Sequence, residues 1–84
     1  MEREEIGKVT HYFGKLQVAA LKLSKALKAG DRIAIVGAHT ELEQEVLSMQ
    51  LDRNELSEAR AGQEVAIKVN QKVREGDVVY KLIE

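Results

Sequence analysis

One short pattern occurs three times in the sequence and constrains the fold more than any other feature. An apolar residue is followed by a basic residue, any residue, glycine, a polar residue, any residue and an apolar residue that is branched at Cβ, over residues 27–33, 59–65 and 73–79. Glycine adopts a positive φ without steric cost, and Asp or Gln can bond nearby backbone groups in a turn. The pattern therefore predicts three turns, each leading into a strand. The residues assigned to these turns are Gly30, Asp31, Gly62, Gly76 and Asp77.

The segments that follow the second and third copies alternate as strands do. Val65, Ile67 and Val69 would share one face of a strand. Residues 78–83 are fairly apolar on both faces, as in a strand that packs on two sides. Both segments favour a β fold.

Two other segments, residues 16–28 and 41–60, fit either a helix or a strand. In the first, Leu16, Ala20 and Leu23 have helical spacing, and both segments are rich in helix formers. Both also fit strands in which the apolar side chains change face once, as they do at a β-bulge. Periodicity alone leaves the two interpretations open.

Length and composition exclude several classes of protein. The chain has 84 residues and no cysteine, which excludes a disulfide framework, a thiol nucleophile and a zinc ribbon. No apolar run approaches the roughly 20 residues of a membrane helix, and the acidic N-terminus is unlike a signal peptide. We expect one cytoplasmic domain over residues 1–84, with residues 1–4 as a flexible lead and no membrane partner.

The charges are unevenly distributed along the chain. Residues 6–30 contain five lysines and no acid, whereas residues 41–58 contain six acids and one arginine. A solvated mixed surface is the simplest interpretation, and a basic face for RNA is the sharper one. Aromatic rings beside bases can stack on nucleobases, although Phe13 is expected in the core. The candidate surface for RNA or a partner is Lys8, His11, Tyr12, Lys15, Lys22, Lys25, Lys28 and Arg32.

The sequence offers little for catalysis. His11 and His39 are the only histidines, and neither has a second ligand at metal spacing. The nucleophile elbow G-x-S-x-G is not found. We therefore expect no enzyme activity, no metal and no cofactor.

The order of the glycine-led segments resembles domain II of elongation factor Tu and the other translational GTPases. Gly7-Lys8-Val9 resembles the opening strand, residues 27–37 the L-K-x-G-D turn and its strand, residues 56–67 the A-x-A-G stretch, and residues 73–81 the closing strand. A similar barrel occurs at the end of the collagenase-like peptidase family, whose members associate with RNA modification. The resemblance implies an all-β fold, a small six- to seven-stranded Greek-key β-barrel of the translation-protein domain II type, in which both ambiguous segments are strands.

The sequence departs from the translational GTPases at the nucleotide site. A phosphate loop needs glycines five residues apart followed by Lys and Ser or Thr, but Gly7 and Gly14 are seven apart and Leu16 follows Lys15. The resemblance therefore implies a non-enzymatic translation-factor-like module that binds RNA, the ribosome, or a translation or RNA-modification protein. The alternative is a protein–protein interaction or homo-oligomerisation module with no nucleic-acid role.

Overall fold

The computed structural model describes residues 2–83, and in that range it consists of strands and turns without a helix. The all-β prediction is confirmed, and the helical interpretation of residues 16–28 and 41–60 is wrong. No helix that could cross a membrane occurs among the described residues. The strands are β1 (Glu2–Phe13), β2 (Val18–Leu23), β3 (Leu27–Lys28), β4 (Arg32–Val36), β5 (Glu41–Glu45), β6 (Met49–Leu51), β7 (Asn54–Leu56), β8 (Glu58–Ala59), β9 (Glu64–Lys68) and β10 (Val78–Ile83).

Eight of the strands form one antiparallel sheet in the order β5-β4-β10-β1-β2-β9-β6-β7, and β3 pairs with β8 separately. The strand count exceeds the predicted six or seven because several strands are only two or three residues long. β5 and β7 are the outer strands of the sheet, so a backbone ladder that closes a barrel is not found within residues 2–83. A side chain spans part of this opening: Gln44 on β5 donates from Nε2 to the Lys68 carbonyl at 2.7 Å and accepts from the Asn70 N–H at 2.9 Å.

The three glycine-led segments form the same turn three times. The N–H of the basic residue donates to the side-chain oxygen of the polar residue three positions later, at 2.7 to 2.9 Å. The N–H of that polar residue donates back to the carbonyl of the basic residue at 3.1 to 3.2 Å. The intervening glycines have φ of 89 to 94°, which side chains with a Cβ rarely adopt. The paired residues are Lys28 and Asp31, Arg60 and Gln63, and Arg74 and Asp77.

Strand β1 pairs with β10 on one side and with β2 on the other, and its register shifts twice. One shift lies between Glu5 and Gly7, the other between Val9 and His11. At the first shift the backbone of β2 comes so close that a Cβ on Gly7 would overlap the Lys22 carbonyl oxygen. The shifts change which side chains face inward, so that Ile6 and Val9 are both buried.

The core is aliphatic and draws on every long strand of the sheet. β2 buries Ala19, Leu21 and Leu23, which alternate with outward-facing residues. This alternation, and not the helical spacing, explains the apolar residues of that segment. The largest fully buried side chains are Ile6, Leu21, Leu23, Leu27, Ile33, Ile35, Met49 and Ile67.

The N-terminal residues are part of the sheet. Glu2, Arg3 and Glu4, which the sequence suggests as a flexible lead, pair with Ile83, Leu82 and Lys81. Met1, the first residue of that lead, lies outside the described residues. The start of β1 and the end of β10 are therefore neighbours.

Candidate functional site

The lysines of the predicted basic surface do not form one continuous stripe. Lys8 and Lys22 are direct partners across β1 and β2. Lys25 instead lies 3.1 Å from the Glu4 carboxylate, and Lys28 lies 4.0 Å from that of Glu58. Arg32 has Glu45 as its cross-strand partner. Acidic residues that lie outside the basic stretch of the sequence are therefore neighbours of these bases in the fold, and they reduce the local positive charge.

The aromatic residues at the end of β1 face opposite sides of the sheet. Tyr12 is half-buried and packs against the core. Phe13 is 43% exposed, so its predicted place in the core is wrong. The physical reason is strand alternation: because Tyr12 faces inward, His11 and Phe13 must face outward. Their rings meet edge to face with centroids 4.4 Å apart.

An apolar stripe continues from Phe13 across the outer face of the sheet. Phe13 pairs with Val18 and Val18 with Lys68, so these side chains form one row. His11 pairs with Ala20 and Ala20 with Ala66, which gives a second row. We name this region, with the adjoining turn, the hairpin-tip surface. Its members are His11, Phe13, Lys15, Leu16, Val18, Ala20, Ala66 and Lys68.

The turn of the β1–β2 hairpin adds a second exposed apolar side chain. Leu16 is 67% exposed, and a surface depression of about 390 Å³ is lined by residues 11–16. The turn itself is well bonded: the Leu16 N–H donates to the Phe13 carbonyl at 3.2 Å, and the Val69 N–H donates to the Gln17 carbonyl at 2.9 Å. The apolar side chains are therefore displayed on a fixed backbone.

Sequence reasoning found His11 and Lys15 of this surface but also included Tyr12, which faces the core. It missed Phe13, Leu16, Val18 and Lys68 as surface residues. Two signals were available. Placing Tyr12 inward forces Phe13 outward by alternation, and a glycine–lysine turn at 14–15 predicts that Leu16 lies at the tip of a hairpin. Lys68 could be found only from the strand pairing, because it is more than 50 positions from Lys15.

The polar groups at the tip make hydrogen bonds without forming an enclosed site. His11 Nδ1 lies 3.1 Å from Glu75 Oε1, with both side chains more than half exposed. Among residues 2–83, no three His, Cys, Asp or Glu side chains are grouped so that they could hold a metal ion. The chemistry that this arrangement offers is contact with an apolar ligand, bordered by ammonium groups.

The curated relatives of this chain are proteins named as proteases and collagenases. It is 43% identical over 81 residues to an uncharacterized protease of Methanocaldococcus jannaschii, a match that covers 95% of this chain and 20% of the relative. It is 33% identical over 82 residues to a collagenase of Porphyromonas gingivalis, covering 95% of this chain and 23% of the relative. The chain thus spans about a fifth of the length of these relatives. No protein-family profile matches the sequence.

Two solved structures share the fold. The C-terminal domain of a Geobacillus thermoleovorans protein assigned to the U32 peptidases superposes with a TM-score of 0.89 at 23% identity, covering 95% of this chain and 93% of that domain. Its selenomethionine variant superposes with a TM-score of 0.86, also at 23% identity, covering 90% and 96%. At this identity the likeness concerns the fold alone.

These comparisons correct the functional interpretation of the sequence. The predicted translation-factor-like, RNA-binding module is wrong, because the relatives are named as proteases and collagenases and the matching solved domain comes from a peptidase. The resemblance to the terminal barrel of collagenase-like peptidases is the part that the comparisons support. The repeated pattern forms the turns that lead into strands, so it indicates the fold. It does not indicate the function, because one fold can carry different functions.

Proposed function

We propose that this chain is a non-catalytic accessory domain of a protease-type protein and that it works by binding protein. The observation that carries the proposal is the pattern of coverage. Nearly the whole chain matches about a fifth of the relatives named as proteases and collagenases, and a separately solved C-terminal domain matches it almost end to end.

The geometry supports a binding role over a hydrolytic one. Peptide hydrolysis needs a nucleophile, or an activated water, held beside a general base, with groups that stabilise the oxyanion in a cleft that holds the substrate. The pair formed by His11 and Glu75 lies on an open surface. The same surface displays Phe13 and Leu16, and exposed apolar side chains grouped in one patch mark sites of protein–protein contact.

The test uses the Methanocaldococcus jannaschii relative without its matching segment of 81 residues, and this chain supplied in full as a separate protein. Calorimetric titration measures whether the two associate, and fluorescein-labelled gelatin measures hydrolysis. We expect a complex, with no hydrolysis by this chain alone. The control is the full-length relative, whose own segment should compete with the added chain.

Two results would overturn the proposal. One is the absence of any complex between this chain and the shortened relative. The other is hydrolysis of gelatin by this chain alone that the substitution His11→Ala abolishes, since His11 is the histidine that lies beside a carboxylate.

A further inference from the structure

We propose that the hairpin-tip surface is the docking site and that its ligand is an apolar protein segment flanked by carboxylates. This inference rests on the proposed protein-binding function and specifies where the ligand binds and which chemistry it has. Three properties of the surface carry it: apolar exposure, a fixed backbone and two lysines that form no ion pair within residues 2–83.

The first property is that the surface displays the only phenylalanine of the chain. The core is filled by aliphatic side chains and Met49 instead. Covering Phe13 and Leu16 with an apolar ligand would release water from both side chains, which favours binding. Ala20 and Ala66 continue the apolar stripe with small, half-buried side chains, which leaves room for the larger side chains of a ligand.

The second property is that the surface is organised before a ligand arrives. The Phe13 ring contacts the His11 ring, and a hydrogen bond joins His11 Nδ1 to Glu75 Oε1. The hairpin turn is tied to the segment after β9 by the bond from Val69 to Gln17. A surface fixed in this way loses little conformational entropy on binding.

The third property is the charge at the border of the stripe. Lys15 and Lys68 form no ion pair with any residue in 2–83, whereas Lys25, Lys28 and Lys81 each lie within 4.0 Å of a carboxylate. Lys68 stands in the same row as Phe13 and Val18. Carboxylates on either side of an apolar ligand would complement these two ammonium groups.

A matched control exists at another exposed leucine. Leu47 is 69% exposed, close to the 67% of Leu16, but it borders a depression that it shares with Glu55 and Ser48. An acidic ligand would be repelled there. The same substitution at the two leucines therefore separates binding at the tip from a general effect of surface hydrophobicity.

The experiment is an NMR titration of the isotopically labelled chain with a synthetic peptide that has a Phe-Leu pair between glutamates. The comparison peptide carries lysine in place of each glutamate. We expect amide shifts concentrated at residues 11–20 and 66–68, and affinity at least about tenfold weaker for the lysine peptide. Phe13→Ala and Leu16→Ala should each weaken binding by about tenfold, because each truncation removes apolar area that the peptide would cover, while Leu47→Ala leaves it within about twofold. Both residues at the tip are exposed, and circular dichroism checks that each variant keeps the β fold.

The outcomes separate this inference from the proposed function. If the glutamate peptide binds at the tip and the shortened relative forms no complex, the docking surface stands and the accessory role fails. If the relative binds equally to the Phe13→Ala, Leu16→Ala and Leu47→Ala variants, the accessory role stands and this surface is the wrong one. Equal affinity for the two peptides would overturn the charge argument. Self-association that Phe13→Ala abolishes would make a second copy the occupant and would also contradict the proposal.

Discussion

The carboxyl group of Asp77 occupies the space that a Cβ atom on Gly37 would need. A Cβ built at position 37 would overlap Asp77 Oδ1 and lie 2.6 Å from Asp77 Cγ. Asp77 is buried, and its Oδ2 accepts a hydrogen bond from the Arg74 N–H at 2.8 Å. Gly37 closes the turn between β4 and β5 through its bonds with Thr40. Two turns that are far apart in sequence thus meet without a side chain between them.

We expect Gly37→Ala to lower the free energy of unfolding by about 1–3 kcal/mol, the usual cost of overpacking. The added methyl must displace a carboxylate that is already bonded in its own turn. Urea denaturation measures the change. Gly14→Ala is the control: a Cβ there would meet only Tyr12 at an ordinary 3.6 Å, so a change within about 0.5 kcal/mol is expected. Equal costs at both positions would show that the Asp77 contact is unimportant.

Among the polar residues of the sheet, Gln44 should be the one whose substitution lowers the free energy of unfolding most. Its side chain is 4% exposed and satisfies the Lys68 carbonyl and the Asn70 N–H. Gln44→Leu takes the side-chain partner away from both backbone groups. Because these bonds are only part-buried, the cost should lie near the lower end of roughly 1–3 kcal/mol for each group, about 2–4 kcal/mol in total. Gln71, an exposed glutamine that bonds the Glu41 carbonyl at 3.2 Å, is the matched control. If Gln71→Leu is as costly as Gln44→Leu, the bridge between β5 and the end of β9 has no special role.

Two threonines should respond in opposite directions to the same change. The buried Thr40 hydroxyl has no hydrogen-bond partner among the described residues, so Thr40→Val removes an unsatisfied polar group and should stabilise the fold by up to about 1 kcal/mol. Thr10 Oγ1 lies 2.8 Å from Glu64 Oε2 and 3.2 Å from the Ala20 carbonyl. Thr10→Val should therefore destabilise by about 0.5–1.5 kcal/mol. Thermal denaturation of both variants tests the pair, and a loss of stability in Thr40→Val would contradict this account.

Asp31 allows the turn bond and the ion pair to be measured separately. Its Oδ2 accepts from the Lys28 N–H at 2.9 Å and lies 3.4 Å from Lys81 Nζ. Asp31→Asn keeps an oxygen for the turn and removes the ion pair, which should cost about 1 kcal/mol or less. Asp31→Ala removes both and should cost about 1 kcal/mol more. Raised salt should reduce the difference in unfolding free energy between the wild type and the Asn variant. A difference that does not change with salt would argue against the pairing with Lys81.

The positions of the three strand-leading turns could be predicted because they depend on local chemistry, whereas the all-β class followed from the family resemblance. A glycine followed by Asp or Gln specifies a turn whatever surrounds it, and the alternation at Val65, Ile67 and Val69 is a local signal. That residues 16–28 form strands could not be predicted from the local sequence. Leu21 and Leu23 are buried because β2 lies between β1 and β9, and this pairing overrides the helix preference of the segment.

The candidate site was predicted less well, because a surface is assembled from strands that are distant in sequence. Lys25 and Lys28 lie in a stretch of sequence without an acid, residues 6–30, but in the folded chain they lie beside Glu4 and Glu58. The opposite holds for Lys68, which joins the tip only through its pairing with Val18. Charge counted along a β sequence therefore predicts little about charge on a face of the sheet.

The pairing of Glu2 with Ile83 has a consequence for how such a domain could be held by a larger protein. Glu2 is the first residue of β1 and Ile83 is its partner at the end of β10, while Phe13 lies at the other end of β1, a strand of twelve residues. Polypeptide joined at either residue would leave from the same corner. The β1–β2 hairpin would then lie at the end of β1 away from that point of attachment, with its tip facing outward from the larger protein.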